Sequence, residues 1–232
     1  MNNCEIPQHI GILMDGNRKW ATARGLSKKE GHSTGAEVFK KIAVDCANLN
    51  IKYLTTYMFS LENWNRSKEE VNNLLEILLD IFYDYEYFVK NNIRVRIIGS
   101  RKGLDSSIIS CIKTIESETS ACSRMNLSIA FNYGGRNEIV EALDSILMNM
   151  KKQNMYRSVT EKIINQHMQS KELPEVDLII RTSGVKRLST FLLWKTSYSE
   201  IIFIDKYWPD FTKEDLIDCI SVYNKKKRRC ER

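Results

Sequence analysis

The chain has 232 residues, 43% of them hydrophobic, with 10 Gly, 3 Pro and a net charge of +6; this suits one large globular domain and excludes a disordered or fibrous protein. Six cysteines without a Cys-x-x-Cys pair exclude a disulfide scaffold and a zinc module, and point to reduced thiols in a cytosolic-type compartment. No apolar stretch approaches the roughly 18 residues that span a bilayer, and residues 1–8 lack the charged-then-apolar pattern of a secretory leader.

In chain order, short apolar runs rich in β-branched and aromatic residues fall at 10–14, 53–59, 95–99, 127–132, 178–182 and 201–205. They are mostly apolar rather than alternating, as strands buried on both faces should be. Helical patterns lie between and after them, near 34–49, 68–90, 106–121, 138–150, 160–168 and 212–223. The alternation predicts an α/β fold: a single domain over 1–232 with a six-stranded, mostly parallel sheet surrounded by helices. Residues 1–8 and 225–232 read as tails, the second a basic run that a solvated terminus explains. No stripe of cations interleaved with aromatics accompanies it, so nucleic acid is not an expected partner.

The helical pattern at 68–90 is the most apolar. Val71, Leu74, Leu75, Leu78, Phe82, Tyr85 and Val89 form one stripe, and Ile77, Leu79, Ile81 and Phe88 form a second. Such a helix is either sandwiched in a core or lines an apolar cavity.

Polar residues follow three of the strands. Asp15 ends the first, ahead of Gly16, Asn17, Arg18, Lys19 and Trp20, with Arg24, Lys28, Lys29 and His32 further on. Ligands of open α/β sheets sit beyond the carboxyl ends of strands, although Asp-Gly-Asn is also a common turn. Cations beside exposed backbone N–H groups suit a diphosphate, and one carboxylate at the edge suits Mg²⁺. The second strand ends in Ser60-Leu61-Glu62-Asn63-Trp64-Asn65-Arg66, where Ser67 and Glu70 have the spacing of a capping box. After the fifth come Arg181-Thr182-Ser183-Gly184-Val185-Lys186-Arg187-Leu188-Ser189, enough cations and hydroxyls for a second diphosphate. Glu200 opens the last strand, an oxygen donor that completes a metal site with Asp15 if the fold brings them together. Tyr133-Gly134-Gly135-Arg136 reads as a strand-to-helix turn.

Together, H-I-G-I-L-M-D-G-N-R-K-W, F-S-L-E-N-W-N-R, N-Y-G-G-R, R-T-S-G-V-K-R-L-S-T-F-L-L-W and Y-S-E-I-I-F-I-D-K-Y-W-P-D-F resemble the cis-prenyltransferases, the undecaprenyl and dehydrodolichyl diphosphate synthases among them. The resemblance runs from His9 to Arg229. It implies a homodimeric transferase that condenses isopentenyl diphosphate onto farnesyl diphosphate or a similar allylic primer, with Mg²⁺, to make a medium-to-long polyprenyl diphosphate. Asp15 would carry the metal and the allylic diphosphate, cradled by Gly16, Asn17, Arg18, Lys19, Lys28 and His32, with Trp20 and Trp64 near the allylic group. Ser60, Leu61, Glu62, Asn63 and Arg66 would line the reaction centre, Asn63 as a catalytic proton relay. Arg181, Arg187, Leu188 and Ser189 would take isopentenyl diphosphate, and Glu200 would add a metal ligand. The 68–90 helix would wall the product tunnel. The implied location is the cytoplasm, with peripheral membrane contact through the product (at the endoplasmic reticulum if eukaryotic). The alternative is a non-catalytic partner subunit of a heteromeric enzyme, against which stand Asp15, Asn63, Arg181, Arg187 and Glu200. Departures from the family pattern are Lys19 and Lys28 for Arg, Val185 for Glu, Ser67 for Pro, Thr190 for Asn or Asp, and a tail without Arg-x-Gly.

Overall fold

In the computed structural model the described residues are 5–154 and 158–230, with backbone alone for 227–230. Six strands, β1 (His9–Leu13), β2 (Tyr53–Ser60), β3 (Ile93–Ile98), β4 (Met125–Tyr133), β5 (Leu178–Arg181) and β6 (Glu200–Phe203), form one sheet in the order β3-β4-β2-β1-β5-β6. Every pairing is parallel, so the mostly parallel sheet expected from sequence is parallel throughout. All five residues of β1 are buried, as a central strand covered on both faces requires.

The helices are α1 (Asn17–Thr22), α2 (Lys28–Asn48), α3 (Lys68–Tyr83), α4 (Tyr85–Lys90), α5 (Ser106–Glu118), α6 (Gly135–Gln153), α7 (Glu161–His167) and α8 (Lys213–Cys230). The short α1 has no periodic pattern long enough to read. The start of α2 lies six residues before the predicted one, because Ser27 and Glu30 close a full capping box there. The 68–90 pattern divides at Asp84, whose backbone (φ −82°, ψ 37°) leaves the helical region, while its carboxylate takes Lys40 at 3.2 Å.

The larger core joins α2, α3 and α5 to one face of the sheet through Phe39, Leu78, Phe82, Ile112 and Phe131. Helices α1 and α2 approach each other closely. A Cβ on Gly35 would stand 2.4 Å from Asn17 Oδ1 and 3.1 Å from Trp208, so only glycine lets α1 sit this close. That approach sets Asn17 beside Asp15 at the end of β1. Because β2, β1 and β5 are neighbours, the turns after all three converge beyond one edge of the sheet, where the strand order reverses about β1. No helix among the described residues is long and apolar enough to cross a membrane.

Candidate active site

The converging turns enclose a cavity of about 660 Å³. Of the residues predicted from sequence, Asp15, Gly16, Asn17, Arg18, Lys19, His32, Ser60, Glu62, Asn63, Arg66, Arg181, Arg187 and Ser189 line it. Two expected diphosphate loops thus share one chamber. Gly16 makes the first turn possible: its φ of 112° is accessible to glycine alone without strain, and a Cβ there would strike Tyr207 at 2.9 Å.

Arg181 sits at the centre. Its Nε and Nη2 lie 2.8 and 2.5 Å from Asp15 Oδ2, and its Nη1 donates to Ser189 Oγ at 2.9 Å and to the carbonyl of Arg187. The guanidinium is 5% exposed and its Asp15 partner 41%. The same turn is pinned by Thr182 Oγ1, which donates to the Asp15 carbonyl at 2.6 Å. Beyond it, Ser183, Ser189, Thr190 and Leu192 all have positive φ. Left-handed backbone at a β-branched residue such as Thr190 is uncommon and clusters where a loop is shaped for a ligand.

Five buried side-chain polar atoms have no hydrogen-bond partner among the described residues, and three of them, Asn17 Oδ1, His32 Nε2 and Thr190 Oγ1, belong to residues of this cavity wall. Native interiors rarely leave such groups unsatisfied, so their concentration here marks a place for a polar ligand. Burial, and then the nearby Arg66, lowers the His32 pKa to about 4, leaving a neutral imidazole at neutral pH.

Beside the chamber, across the shared wall of Met14, Asn17, His32, Tyr57, Met58 and Leu74, lies a narrow throat of about 50 Å³. Past them the lining is Phe39, Phe59, Ile77, Leu78 and Trp208. A cationic chamber walled against an apolar throat fits an amphiphile with a charged head and a hydrocarbon tail.

Several predicted residues stand elsewhere. Trp20 donates to Asp210 at 2.7 Å and is capped by the Arg24 guanidinium 4.5 Å from its ring centre. Trp64 packs edge-on to Phe59 and donates to Asn132 at 2.8 Å, facing, with Leu61, a second cavity of about 420 Å³. Leu188 is half-buried against the smaller core. Lys28 is exposed and reaches Glu70 at 3.6 Å. Glu200 does not join Asp15 within one chain. It pairs with Leu178 in register, level with Ile10; Asp15 lies five residues further, about 16 Å at the usual rise per residue. Parallel strands put a first residue and a post-strand residue at opposite edges, and there Glu200 holds Lys226 at 2.8 Å. Among the described residues no group of three His, Cys, Asp or Glu could hold a metal.

Sequence reading missed Tyr57, Met58 and Thr190 as cavity residues, whereas Leu74 belongs to the helix expected to wall the tunnel. Tyr57, whose pKa burial pushes up to about 12, donates to the Tyr133 carbonyl at 3.1 Å and stacks on Phe191. It lies inside an apolar strand, where no local signal separates a cavity-facing tyrosine from a core one.

The arrangement is that of a parallel α/β protein with a cationic chamber beyond the carboxyl ends of its central strands, and the comparisons with known proteins supply its class. The family model described as "Putative undecaprenyl diphosphate synthase" matches residues 13–231. An isoprenyl transferase of Thermotoga maritima is 44% identical over 225 residues, covering 97% of this chain and 96% of that protein. One from Staphylococcus saprophyticus is 40% identical, covering 97% and 89%. Among solved structures, lavandulyl diphosphate synthase from Lavandula x intermedia, in complex with dimethylallyl diphosphate, superposes with a TM-score of 0.90 at 36% identity, covering 94% of this chain and 95% of that one. A "probable undecaprenyl diphosphate synthase" from Campylobacter jejuni gives 0.78 at 30%, with the same coverage. The chain belongs to the undecaprenyl diphosphate synthase family of cis-prenyltransferases. It is an enzyme of cis-prenyl chain elongation, and the non-catalytic alternative is not favoured.

Proposed function

We propose that the enzyme uses farnesyl diphosphate or a similar allylic primer with isopentenyl diphosphate, and that it works with Mg²⁺. The observation that carries this reading is the shared wall between the cationic chamber and the apolar throat, since an allylic diphosphate needs both environments side by side. Gly16, Asn17, Arg18, Lys19 and Arg66 take the allylic diphosphate, and its hydrocarbon enters past Met58 and Leu74. Arg187, Ser189 and the buried Arg181 face isopentenyl diphosphate and hold its double bond towards the allylic carbon.

As the allylic C–O bond breaks, negative charge grows on the departing diphosphate, where Arg18, Lys19 and Arg66 stabilise it most. The new C–C bond leaves a cationic carbon on the isopentenyl unit that must lose a proton. Asn63 stands at the chamber wall with its Oδ1 accepting from Ser60 N at 2.9 Å, which fixes the amide for a relay role.

The donor set fits Mg²⁺ as a substrate-borne ion: Asp15 is one partly exposed carboxylate, and Mg²⁺ is commonly held by one or two carboxylates together with substrate phosphates. Bound there, the ion would supply charge neutralisation at the leaving oxygens. Glu200 of the same chain is too distant to share it, so the two carboxylates meet at one ion only if a second copy supplies Glu200. A homodimer is part of the proposal, supported by Val140, Leu147 and Met148, which are 55%, 61% and 71% exposed on α6. The product's tail accounts for peripheral membrane contact of an otherwise cytoplasmic enzyme. Incubation with farnesyl diphosphate, labelled isopentenyl diphosphate and Mg²⁺ tests the reading, with a chelator control. Polyprenyl diphosphate that disappears with the chelator is expected; no condensation, or condensation indifferent to the chelator, contradicts it.

A further inference from the structure

Ser67 and Glu70 have capping-box spacing, yet only half of the box forms. Ser67 Oγ accepts from Glu70 N at 3.3 Å, but the Glu70 carboxylate turns to three cations instead. Its Oε1 lies 2.7 Å from Arg66 Nη1 and 3.4 Å from Arg18 Nη1, and its Oε2 lies 3.6 Å from Lys28 Nζ. The cations come from three elements: the turn before α3, α1, and the first residue of α2. The carboxylate between them is only 8% exposed, and a buried charge persists only when paired. Burial alone would push its pKa up; Arg66, Arg18 and Lys28 overcome that and hold it below the ordinary value.

Arg18 and Arg66 line the diphosphate chamber, whereas Glu70 does not. Each guanidinium commits one Nη1 to Glu70, which leaves the rest of its donor fork for an anion. Without a shared counter-charge, three cations this close would drive one another apart. Lys28, exposed and outside the chamber wall, completes the cluster rather than the substrate shell.

We propose that Glu70 is the positioning residue of the allylic diphosphate subsite. It holds Arg18 and Arg66 in place before substrate arrives, and ties the first turn of α3, whose later turns wall the throat, to α1 and α2. This rests on the chamber binding an allylic diphosphate as argued above.

Glu70→Gln keeps the size and removes the charge. The expected result is a rise of about tenfold in KM for farnesyl diphosphate, the lower end for losing an orienting partner, and a matching loss of farnesyl diphosphate binding by calorimetry without the second substrate. KM for isopentenyl diphosphate should stay within about twofold, because neither Arg187 nor Ser189 touches Glu70. Glu70→Asp, which keeps the charge on a shorter stem, should fall between Glu70→Gln and wild type. Unchanged farnesyl diphosphate binding in Glu70→Gln, or an equal rise for both substrates, overturns the proposal. If Glu70→Gln does not fold, as a melting curve would reveal, Glu70→Asp decides alone: a KM indistinguishable from wild type overturns the proposal. A wild-type enzyme that ignores farnesyl diphosphate strikes the substrate reading instead, with no bearing on Glu70.

Discussion

Arg181 grips a single oxygen of Asp15, with Nε at 2.8 Å and Nη2 at 2.5 Å from Oδ2. The pair joins the carboxyl ends of neighbouring strands β1 and β5. The residue expected to anchor the metal is therefore bonded, before any ligand arrives, to the residue expected to anchor isopentenyl diphosphate. A change at either is felt in both halves of the chamber.

Replacing Asp15 by Ala should reduce turnover at least about a hundredfold, the scale seen when one electrostatic contact to the transition state is removed. It also strands the buried Arg181 guanidinium, so a stability loss of about 1–3 kcal/mol should accompany it. Activity with farnesyl and isopentenyl diphosphates, alongside urea unfolding, checks both. Turnover within about threefold of wild type would contradict the assignment.

The two arginines after β5 should behave differently. Arg187 is exposed at the chamber, whereas Arg181 is buried and bonded to Asp15, Ser189 and the Arg187 carbonyl. Arg187→Ala should raise KM for isopentenyl diphosphate selectively and leave the melting temperature unchanged. Arg181→Ala should lower the melting temperature and impair both substrates. Identical profiles for the two variants would show that burial does not separate their roles.

Product length should respond to residues that line the throat. Leu74, Ile77 and Leu78 do so, whereas Phe82, 1% exposed, packs edge-on against Phe131 at 6.3 Å and lines no described cavity. Ile77→Ala should shift dephosphorylated products towards longer chains, because the throat then yields before it clashes. Phe82→Ala should mainly destabilise the fold, by about 3–5 kcal/mol. A length shift in Phe82→Ala with none in Ile77→Ala would place the tunnel on the other side of α3.

Acid should weaken the fold before carboxylates titrate. His9 is fully buried between the Pro174 carbonyl and Thr55 Oγ1, and burial lowers its pKa to about 4, with His32 likewise lowered to about 4. The unfolded chain protonates near the ordinary histidine value of 6.5, so between pH 6.5 and 4 it binds more protons than the folded one. Stability is therefore present above 6.5 and declines as pH falls through this window, by about 2 kcal/mol per buried histidine between pH 7 and 5. Urea unfolding at those two values measures it; equal midpoints would contradict the buried neutral state.

The sheet was legible in the sequence because central parallel strands are buried on both faces, and that burial is written directly into their composition. The chamber's polar residues were legible for a related reason: Asp15, Ser60 and Arg181 follow apolar runs along the chain, and in a parallel sheet the residues after strands gather at one edge. Tertiary structure alone decided where side chains turn. Trp20 and Trp64, set beside chamber residues by sequence, turn to Asp210 and Asn132, whose oxygens accept from their indole N–H groups. Glu70 looks like a cap and serves as the anion among three cations from distant segments. Glu200 shares a sheet with Asp15 but occupies its opposite edge, a consequence of register rather than residue type. Helical period likewise reveals that α3 is apolar nearly all round, yet cannot tell Ile77 at the throat from Phe82 in the core. Periodicity reports that a face is covered; only packing between segments far apart in the chain determines what covers it.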